Sequence, residues 1–177
     1  LTVTTGSSTQ IDPINFRKPQ VQYDPLTFRY IAGMGRKGTA LLIAKDAEPR
    51  LFDKTAAPVV MGSVGALPRS GMQITAWGIG FLGWNAKWVV GYAGTSQVTL
   101  ALERGEVAAR TNTWASTKAI STPWLKDGKL FVVVQIGLIK AADLPEVPLL
   151  MDLASNPDDR IMLKLLSAPA TIGRPFV

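Results

Sequence analysis

Seven residues from Leu130 to Ile136, Leu-Phe-Val-Val-Val-Gln-Ile, constrain the fold more than any other part of the sequence. The run is nearly all apolar and rich in β-branched residues, which is typical of a strand covered on both faces of a parallel sheet. We therefore predict a central parallel strand here. Shorter strands are predicted at residues 28–31, 40–44, 58–61, 87–90 and 107–110.

Helical segments alternate with these strands. The clearest spans residues 94–106, where Thr95 or Ser96 can cap the start and Gly105 lies where a left-handed stop is needed. Further helices are predicted at residues 65–84, 149–154 and 158–166, the last begun by Asn156-Pro157-Asp158. This alternation predicts an α/β domain with a largely parallel open sheet and flanking helices.

Cysteine and histidine are absent from all 177 positions. Without them the chain has no thiolate chemistry, and it lacks the usual central residue of serine hydrolase triads, most zinc sites and ordinary acid–base catalysis. Glu103 and Glu106 lie on a predicted helix and its exit, and Asp158 and Asp159 lie at a helix start, where carboxylates favour the helix dipole. We expect no enzyme activity, no metal site and no cofactor.

The charge balance is basic, with 19 Lys and Arg against 13 Asp and Glu and a formal net charge of +6. The cations are scattered, without a dense stripe or a recognisable nucleic-acid motif, so no nucleic-acid partner is expected. Residues 72–90 are too interrupted by glycine and polar residues for a membrane span, and a buried helix is predicted there.

The first eleven residues are rich in Thr and Ser and have neither the basic nor the apolar region of a signal peptide. Residue 1 is not Met. We expect the chain to be part of a longer protein, with any export signal outside it.

Residues 33–38, Gly-Met-Gly-Arg-Lys-Gly, match the dinucleotide-binding pattern G-x-G-x-x-G. That motif requires a helix after the glycines, so that its amides meet the pyrophosphate. The short run that follows, residues 39–44, has no sustained helical period. A glycine-rich connector between two strands is the favoured interpretation.

Three turns follow predicted neighbouring strands, at Gly62-Ser63-Val64-Gly65, at Tyr92-Ala93-Gly94-Thr95 and at residues 110–114. A turn that leads into a helix exposes amides at its positive end, which suits an anion, although a plain tight turn explains the first of these equally well. Open α/β sheets bind ligands at the carboxyl ends of neighbouring strands. Trp114 either stacks on such a ligand or fills the edge of the core, and core packing is slightly favoured.

Several segments together resemble the solute-binding receptors of tripartite tricarboxylate transporters, the TctC or Bug family. Their order and spacing cover nearly the whole chain, and the Tyr-x-Gly, Leu-x-x-Gly-Glu-Val and Leu-Pro-x-Val-Pro series is the most specific part. The segments are Tyr23-Asp24-Pro25 with Phe28, residues 62–65, 90–94, 100–107, Trp124-Leu125, residues 134–137, 143–148, 167–169 and 173–176.

The resemblance implies a two-lobed periplasmic fold of the type II binding-protein kind, with a small organic carboxylate bound between the lobes. It implies that residues 1–39 are a remnant of the first lobe and the crossover, that 40–173 form the second lobe, and that 174–177 begin the return. It also implies a periplasmic location and docking to membrane transporter subunits after hinge closure. An isolated lobe is further expected to self-associate through its exposed cleft face.

The family's binding positions fall on the first turn, on the second turn and on residues 111–114, which is predicted to be a loop. The resemblance implies that amide and hydroxyl donors grip the carboxylate without a buried Lys or Arg. Ala66 and Leu67 replace small hydroxyl residues of the family, which suggests a bulkier or partly apolar carboxylate. The implied site residues are Ser63, Val64, Gly65, Gly94, Thr95, Thr111, Asn112, Thr113 and Trp114.

Two other functions stay open at this stage. One is a cytosolic nucleotide-dependent enzyme that uses the glycine-rich loop at residues 33–38. The other is the effector-sensing lobe of a transcription regulator, which has the same general architecture and would require a DNA-binding region upstream.

Overall fold

A five-stranded sheet forms the centre of the molecule. The computed structural model describes residue 3 and residues 19–34, 38–64, 71–172 and 174–176. The strands are β1 (Ala32–Met34), β2 (Thr39–Ala44), β3 (Val59–Val64), β4 (Ala86–Tyr92), β5 (Ala109–Thr113), β6 (Leu130–Ile136) and β7 (Arg174–Phe176). The sheet has the order β4-β3-β5-β2-β6, and β1 and β7 form a separate antiparallel pair.

Four of the five strands in this sheet run in the same direction. Strand β3 pairs in parallel with β4 and with β5, whereas β2 runs antiparallel to both β5 and β6. The predicted α/β domain with a largely parallel sheet is therefore confirmed. The prediction of a central parallel strand at 130–136 is wrong in its placement. Strand β6 lies at the end of the strand order and, among the described strands, pairs with the antiparallel β2 alone.

The apolar sequence of β6 results from burial of its faces and from cover over its outer edge. Val134 and Ile136 pack in the larger core, and Leu130 packs in the smaller one. The chain that follows the strand folds back beside it, and Gln135 forms a parallel bridge to Leu149. An edge strand with this cover has the same composition as a central one.

Gln135 fixes the returning segment through its buried side chain. Its Oε1 accepts a hydrogen bond from the amide of Ala141 at 2.8 Å, and its Nε2 donates to the carbonyls of Leu144 at 2.8 Å and Val147 at 2.9 Å. Its main-chain amide donates to the carbonyl of Pro148 at 2.9 Å. One side chain thus satisfies three main-chain groups of a loop without regular structure.

Helices cover both faces of the sheet. They are α1 (Gly71–Leu82), α2 (Thr95–Glu103), α3 (Trp114–Lys126), α4 (Pro157–Ser167) and α5 (Pro169–Ile172), with 3₁₀ turns at Pro25–Thr27, Pro49–Leu51 and Leu150–Leu153. Helices α1 and α4 contribute Ile74 and Leu163 to the larger core. Helices α2 and α3 border the smaller core, which includes Leu102 with Trp124 packed against it. No helix within the described ranges is long and apolar enough to cross a membrane.

The ends of two predicted helices can be compared with the structure. In α2 the capping position is Gly94, with extended backbone and no side-chain hydrogen bond, so the prediction that Thr95 or Ser96 caps this helix is wrong. Its predicted stop is confirmed, since Gly105 has a φ of +72°. In α4 the predicted cap is also confirmed, because the Asn156 side chain accepts from the amide of Asp158 at 2.9 Å.

Other local predictions differ from the structure. No strand forms at residues 28–31, since β1 begins at Ala32, and the strand predicted at 107–110 lies two residues later, as β5. The helix predicted at 149–154 is a single 3₁₀ turn. Helix α3 was not predicted, because its sequence is rich in Ser and Thr and contains Pro123 in place of a regular apolar stripe.

Two predicted segments are only partly described. Residues 65–70 of the predicted helix at 65–84 lie outside the described part of the chain, which begins again at α1. Residues 35–37 of the glycine-rich stretch also lie outside it. The stretch joins β1 to β2, which agrees with a connector between strands, and a strand follows where the dinucleotide motif requires a helix.

Helix α1 provides a matched pair of glycines for a stability measurement. A Cβ on Gly78 would lie 1.9 Å from the ring of the buried Trp84, whereas a Cβ on Gly80 would meet no atom within 4 Å. Gly78→Ala is expected to lower the free energy of unfolding by about 1 to 3 kcal/mol, because the packed ring must move. Gly80→Ala is expected to raise it by about 0.5 to 1 kcal/mol, because alanine favours a helix. Urea denaturation measures both changes, and shifts of the same sign would contradict this packing.

Candidate ligand-binding site

A polar pocket of about 180 Å³ lies at the carboxyl ends of β3 and β5. Strand β2 reaches the same edge with its first residue, because it runs antiparallel and pairs Thr39 with Thr113. The first turn of α2 closes one side. The lining residues are Thr39, Gly62, Ser63, Val64, Thr95, Val98, Arg110, Thr111, Asn112 and Thr113. This is the edge at which open α/β sheets bind ligands.

The absence of a side chain at Gly62 lets α2 approach the sheet at this edge. A Cβ there would lie 2.8 Å from Cγ1 of Val98 on α2 and 3.3 Å from Cγ2 of Val107. Gly62 is also in register with Arg110 on the neighbouring strand, so both face the same side of the sheet. The glycine therefore leaves room for the helix and for the arginine side chain.

The amino end of α2 presents free donors beside the pocket. The amides of Gln97 and Val98 both donate to the carbonyl of Gly94, at 3.1 and 3.3 Å. The amides of Thr95 and Ser96 precede these bonds and have no acceptor within the helix. Together with the aligned peptide dipoles, they give this end of α2 a partial positive charge.

The end of β5 leads directly into α3. Thr113 caps that helix, since its Oγ1 accepts from the amide of Ser116 at 3.3 Å and donates to the hydroxyl of Ser116 at 2.8 Å. Asn112 accepts through its Oδ1 from the amide of Thr113 at 3.0 Å. The side-chain nitrogen Nδ2 of Asn112 remains available as a donor to a ligand in the pocket, because no hydrogen bond within the described ranges uses it.

Arg110 is the one charged residue among the described lining residues, and it is only 3% exposed. Its Nη1 donates to the carbonyl of Thr95 at 3.3 Å and to the hydroxyl of Thr99. Its Nε is buried and has no hydrogen-bond partner within the described part of the chain. Burial lowers the pKa of this guanidinium from its usual value, because the surroundings solvate the charged form poorly.

The structure brings together six of the nine residues implied by the resemblance. Gly94 lies next to the pocket as the cap of α2 without lining it. Gly65 lies outside the described residues. The six are Ser63, Val64, Thr95, Thr111, Asn112 and Thr113.

Trp114 does not line the pocket. It is the first residue of α3, is 7% exposed, and its ring nitrogen donates to Oδ1 of Asp143 at 2.8 Å. Nζ of Lys118 lies 2.5 Å from Oδ2 of the same carboxylate and 5.8 Å from the centre of the Trp114 ring. Hydrogen bonds from Lys118 and Trp114 hold the pKa of Asp143 below its usual value. The prediction of a loop at 111–114 is wrong, because β5 continues to Thr113 and α3 starts at once.

Two polar lining residues were missed from the sequence. Thr39 was assigned to the crossover, and Arg110 was placed on a strand without a role in the site. The resemblance implied a site without a buried arginine, whereas the buried Arg110 lies in the wall of this pocket. One signal was present: a single cation follows the apolar residues 107–109 at the end of a strand that was predicted to reach the ligand edge. Within the described ranges no group of three or more acidic side chains is arranged to hold a metal ion.

Three solved structures share this fold, although their sequences are only 16–17% identical to the chain. Rpa4515 of R. palustris with adipate has a TM-score of 0.58, and the match covers 90% of this chain and 50% of that one. MatC (Rpa3494) of Rhodopseudomonas palustris with bound malate has a TM-score of 0.56, covering 99% and 56%. A TctC solute-binding protein from Polaromonas without ligand has a TM-score of 0.51, covering 84% and 61%.

These matches confirm, at the level of the fold, the resemblance to TctC-type solute-binding proteins. The chain spans between half and three fifths of the length of the three proteins. No protein-family model matches the sequence, and no curated protein is significantly similar to it.

The close contact at Gly62 is testable by adding one methyl group. Gly62→Ala is expected to lower the free energy of unfolding by about 1 to 3 kcal/mol, because the new Cβ forces α2 away from the sheet. Gly94→Ser is the control: its Cβ meets nothing within 4 Å, and serine is a good capping residue, so a change within about 0.5 kcal/mol is expected. Equal losses in both variants would show that α2 does not pack as described.

Proposed function

We propose that the chain forms one lobe of a receptor that binds a small organic carboxylate without transforming it. The observation that carries the proposal is the pocket at the ends of β3 and β5. Its described polar lining consists of hydroxyl, amide and guanidinium groups, none of the described lining residues is acidic, and the positive end of α2 adjoins it. Such a set of donors suits an anion.

The fold supports the same ligand class. Two of the proteins that share it were solved with adipate and with malate, both small dicarboxylates. We propose that the carboxylate contacts Ser63, Thr95 and Thr111 through hydroxyl groups, with Asn112 and Thr113 beside them. Gly65 and Gly94 are proposed to contribute main-chain amides. Trp114 is proposed to fix the start of α3 by packing.

The lobe boundaries follow as part of this proposal. Residues 40–173 are proposed to form the second lobe, with 1–39 belonging to the first lobe and the crossover and 174–177 to the return. The pairing of β1 with β7 supports this division, because it holds the entering and leaving segments side by side, outside the five-stranded sheet. The other half of the site is proposed to come from the first lobe.

The complete protein is proposed to act in the periplasm and to deliver its ligand to membrane transporter subunits. The likeness of the fold to a TctC solute-binding protein supports this role. The absence of histidine and cysteine from the whole sequence supports binding over catalysis. The nucleotide-dependent alternative loses its basis, because β2 follows the glycine-rich stretch in place of a helix.

Calorimetric titration of the complete protein tests the proposed ligand class. Malate or adipate is expected to bind saturably. At a free ligand concentration of 100 times the dissociation constant, the bound ligand is expected to raise the free energy of unfolding by about 2.7 kcal/mol. The corresponding diamides, which have the same length but no charge, are expected not to bind. Binding of NAD or ATP with no response to any carboxylate would contradict the proposal.

The contribution of Ser63 is measured in the same titration. Ser63→Ala removes one hydroxyl from the pocket and is expected to weaken carboxylate binding about 10-fold, as expected for one lost hydrogen bond. Ser155→Ala is the control, since Ser155 is exposed and lies between the 3₁₀ turn at Leu150–Leu153 and α4. An equal effect of the two changes would place the ligand elsewhere.

A further inference from the structure

Arg110 is a buried cation without a partner of opposite charge among the described residues. All acidic residues of the chain except Asp12 lie in described positions, and none of these forms an ion pair with Arg110. The undescribed segment that follows β3, residues 65–70, contains no acidic residue either. Within the described part of the chain, Arg110 donates hydrogen bonds to the carbonyl of Thr95 and the hydroxyl of Thr99, both uncharged.

The position of this guanidinium adds to the imbalance. It lies against the first turn of α2, where the peptide dipoles place a partial positive charge and where a cation is disfavoured. A charge removed from water stabilises a protein only when a counter-charge or a full set of hydrogen bonds compensates it. Here Nε has no partner, and two positive features converge on one pocket.

We propose that Arg110 is the charged anchor of the site, forming a salt bridge with the carboxylate of the ligand. The inference rests on the proposed function and adds to it the residue that selects a charged carboxylate over a neutral analogue. The bound carboxylate is then the counter-ion that the described residues do not provide.

The hydrogen bonds of Arg110 leave one terminal nitrogen of the guanidinium unused. Nη1 is held by α2, which fixes the plane of the group, and Nε is enclosed by the protein, while Nη2 forms no hydrogen bond within the described residues. A guanidinium held in one plane points its remaining N–H groups in set directions, which the ammonium of a flexible lysine does not. Arg110 therefore selects for geometry as well as for charge.

The test uses Arg110→Met, Arg110→Lys and Arg104→Met in the complete protein, each followed by thermal melting with and without malate or adipate at matched ionic strength. Without ligand, Arg110→Met is expected to melt about 3 °C or more above the wild type, because an uncompensated charge is replaced by an apolar side chain of similar length. Its affinity for the dicarboxylate is expected to fall at least about 30-fold.

The other two variants separate charge from geometry. Arg110→Lys keeps the charge and loses the fixed planar guanidinium, so an intermediate affinity is expected. Arg104→Met removes the same charge from an exposed position at the end of α2, where its contact with Glu106 is 3.8 Å, and is expected to behave like the wild type.

Each remaining result overturns the inference in a recognisable way. Wild-type affinity in Arg110→Met overturns it and leaves the carboxylate receptor standing. A lower melting temperature in ligand-free Arg110→Met also overturns it, since the charge would then be compensated within the fold. Failure of the complete wild-type protein to respond to any carboxylate removes the proposed function, and the inference with it.

Discussion

The close approach of α2 to β3 is the contact on which the site depends. Residue 62 has no side chain, and Val98 and Val107 occupy the space that a Cβ would need. This contact fixes the height of the helix above the sheet, so its first turn lies level with the ends of the strands. The free amides of that turn, the hydroxyl groups of β3 and β5 and the Arg110 guanidinium therefore border one cavity.

The proposed role of Arg110 implies that the charge of the pocket lowers the stability of the ligand-free fold. Positive features repel one another, and both the end of α2 and Arg110 face the same small volume. Binding sites often keep groups that would be better placed elsewhere for stability alone, because the ligand supplies the missing interaction. Two apolar cores, one packed against α1 and α4 and the other against α2 and α3, stabilise the rest of the fold.

The sequence predicted what depends on local pattern. Apolar β-branched runs predicted β2, β3, β4 and β6. Gly105 correctly marked where α2 ends, and Asn156 where α4 begins. The pattern of strand, turn and helix identified most of the hydroxyl groups that line the pocket. The sequence did not reveal that β6 is an edge strand. The composition of a strand indicates how deeply it is buried, but it does not indicate which strands pair with it. The roles of Arg110 and Trp114 depend on partners distant along the chain, such as Asp143, which is 29 positions from the tryptophan.

The loop held by Gln135 makes the two edges of the sheet different. On the β6 side, the segment that ends at Leu149 pairs with the outer edge of the strand at Gln135. On the opposite side, no strand of the described chain pairs with the outer edge of β4, where Trp88, Val89 and Val90 are each about 40% exposed. The edge of β4 is therefore the more open place for a further strand, from the same polypeptide or a neighbouring one, to lengthen this sheet.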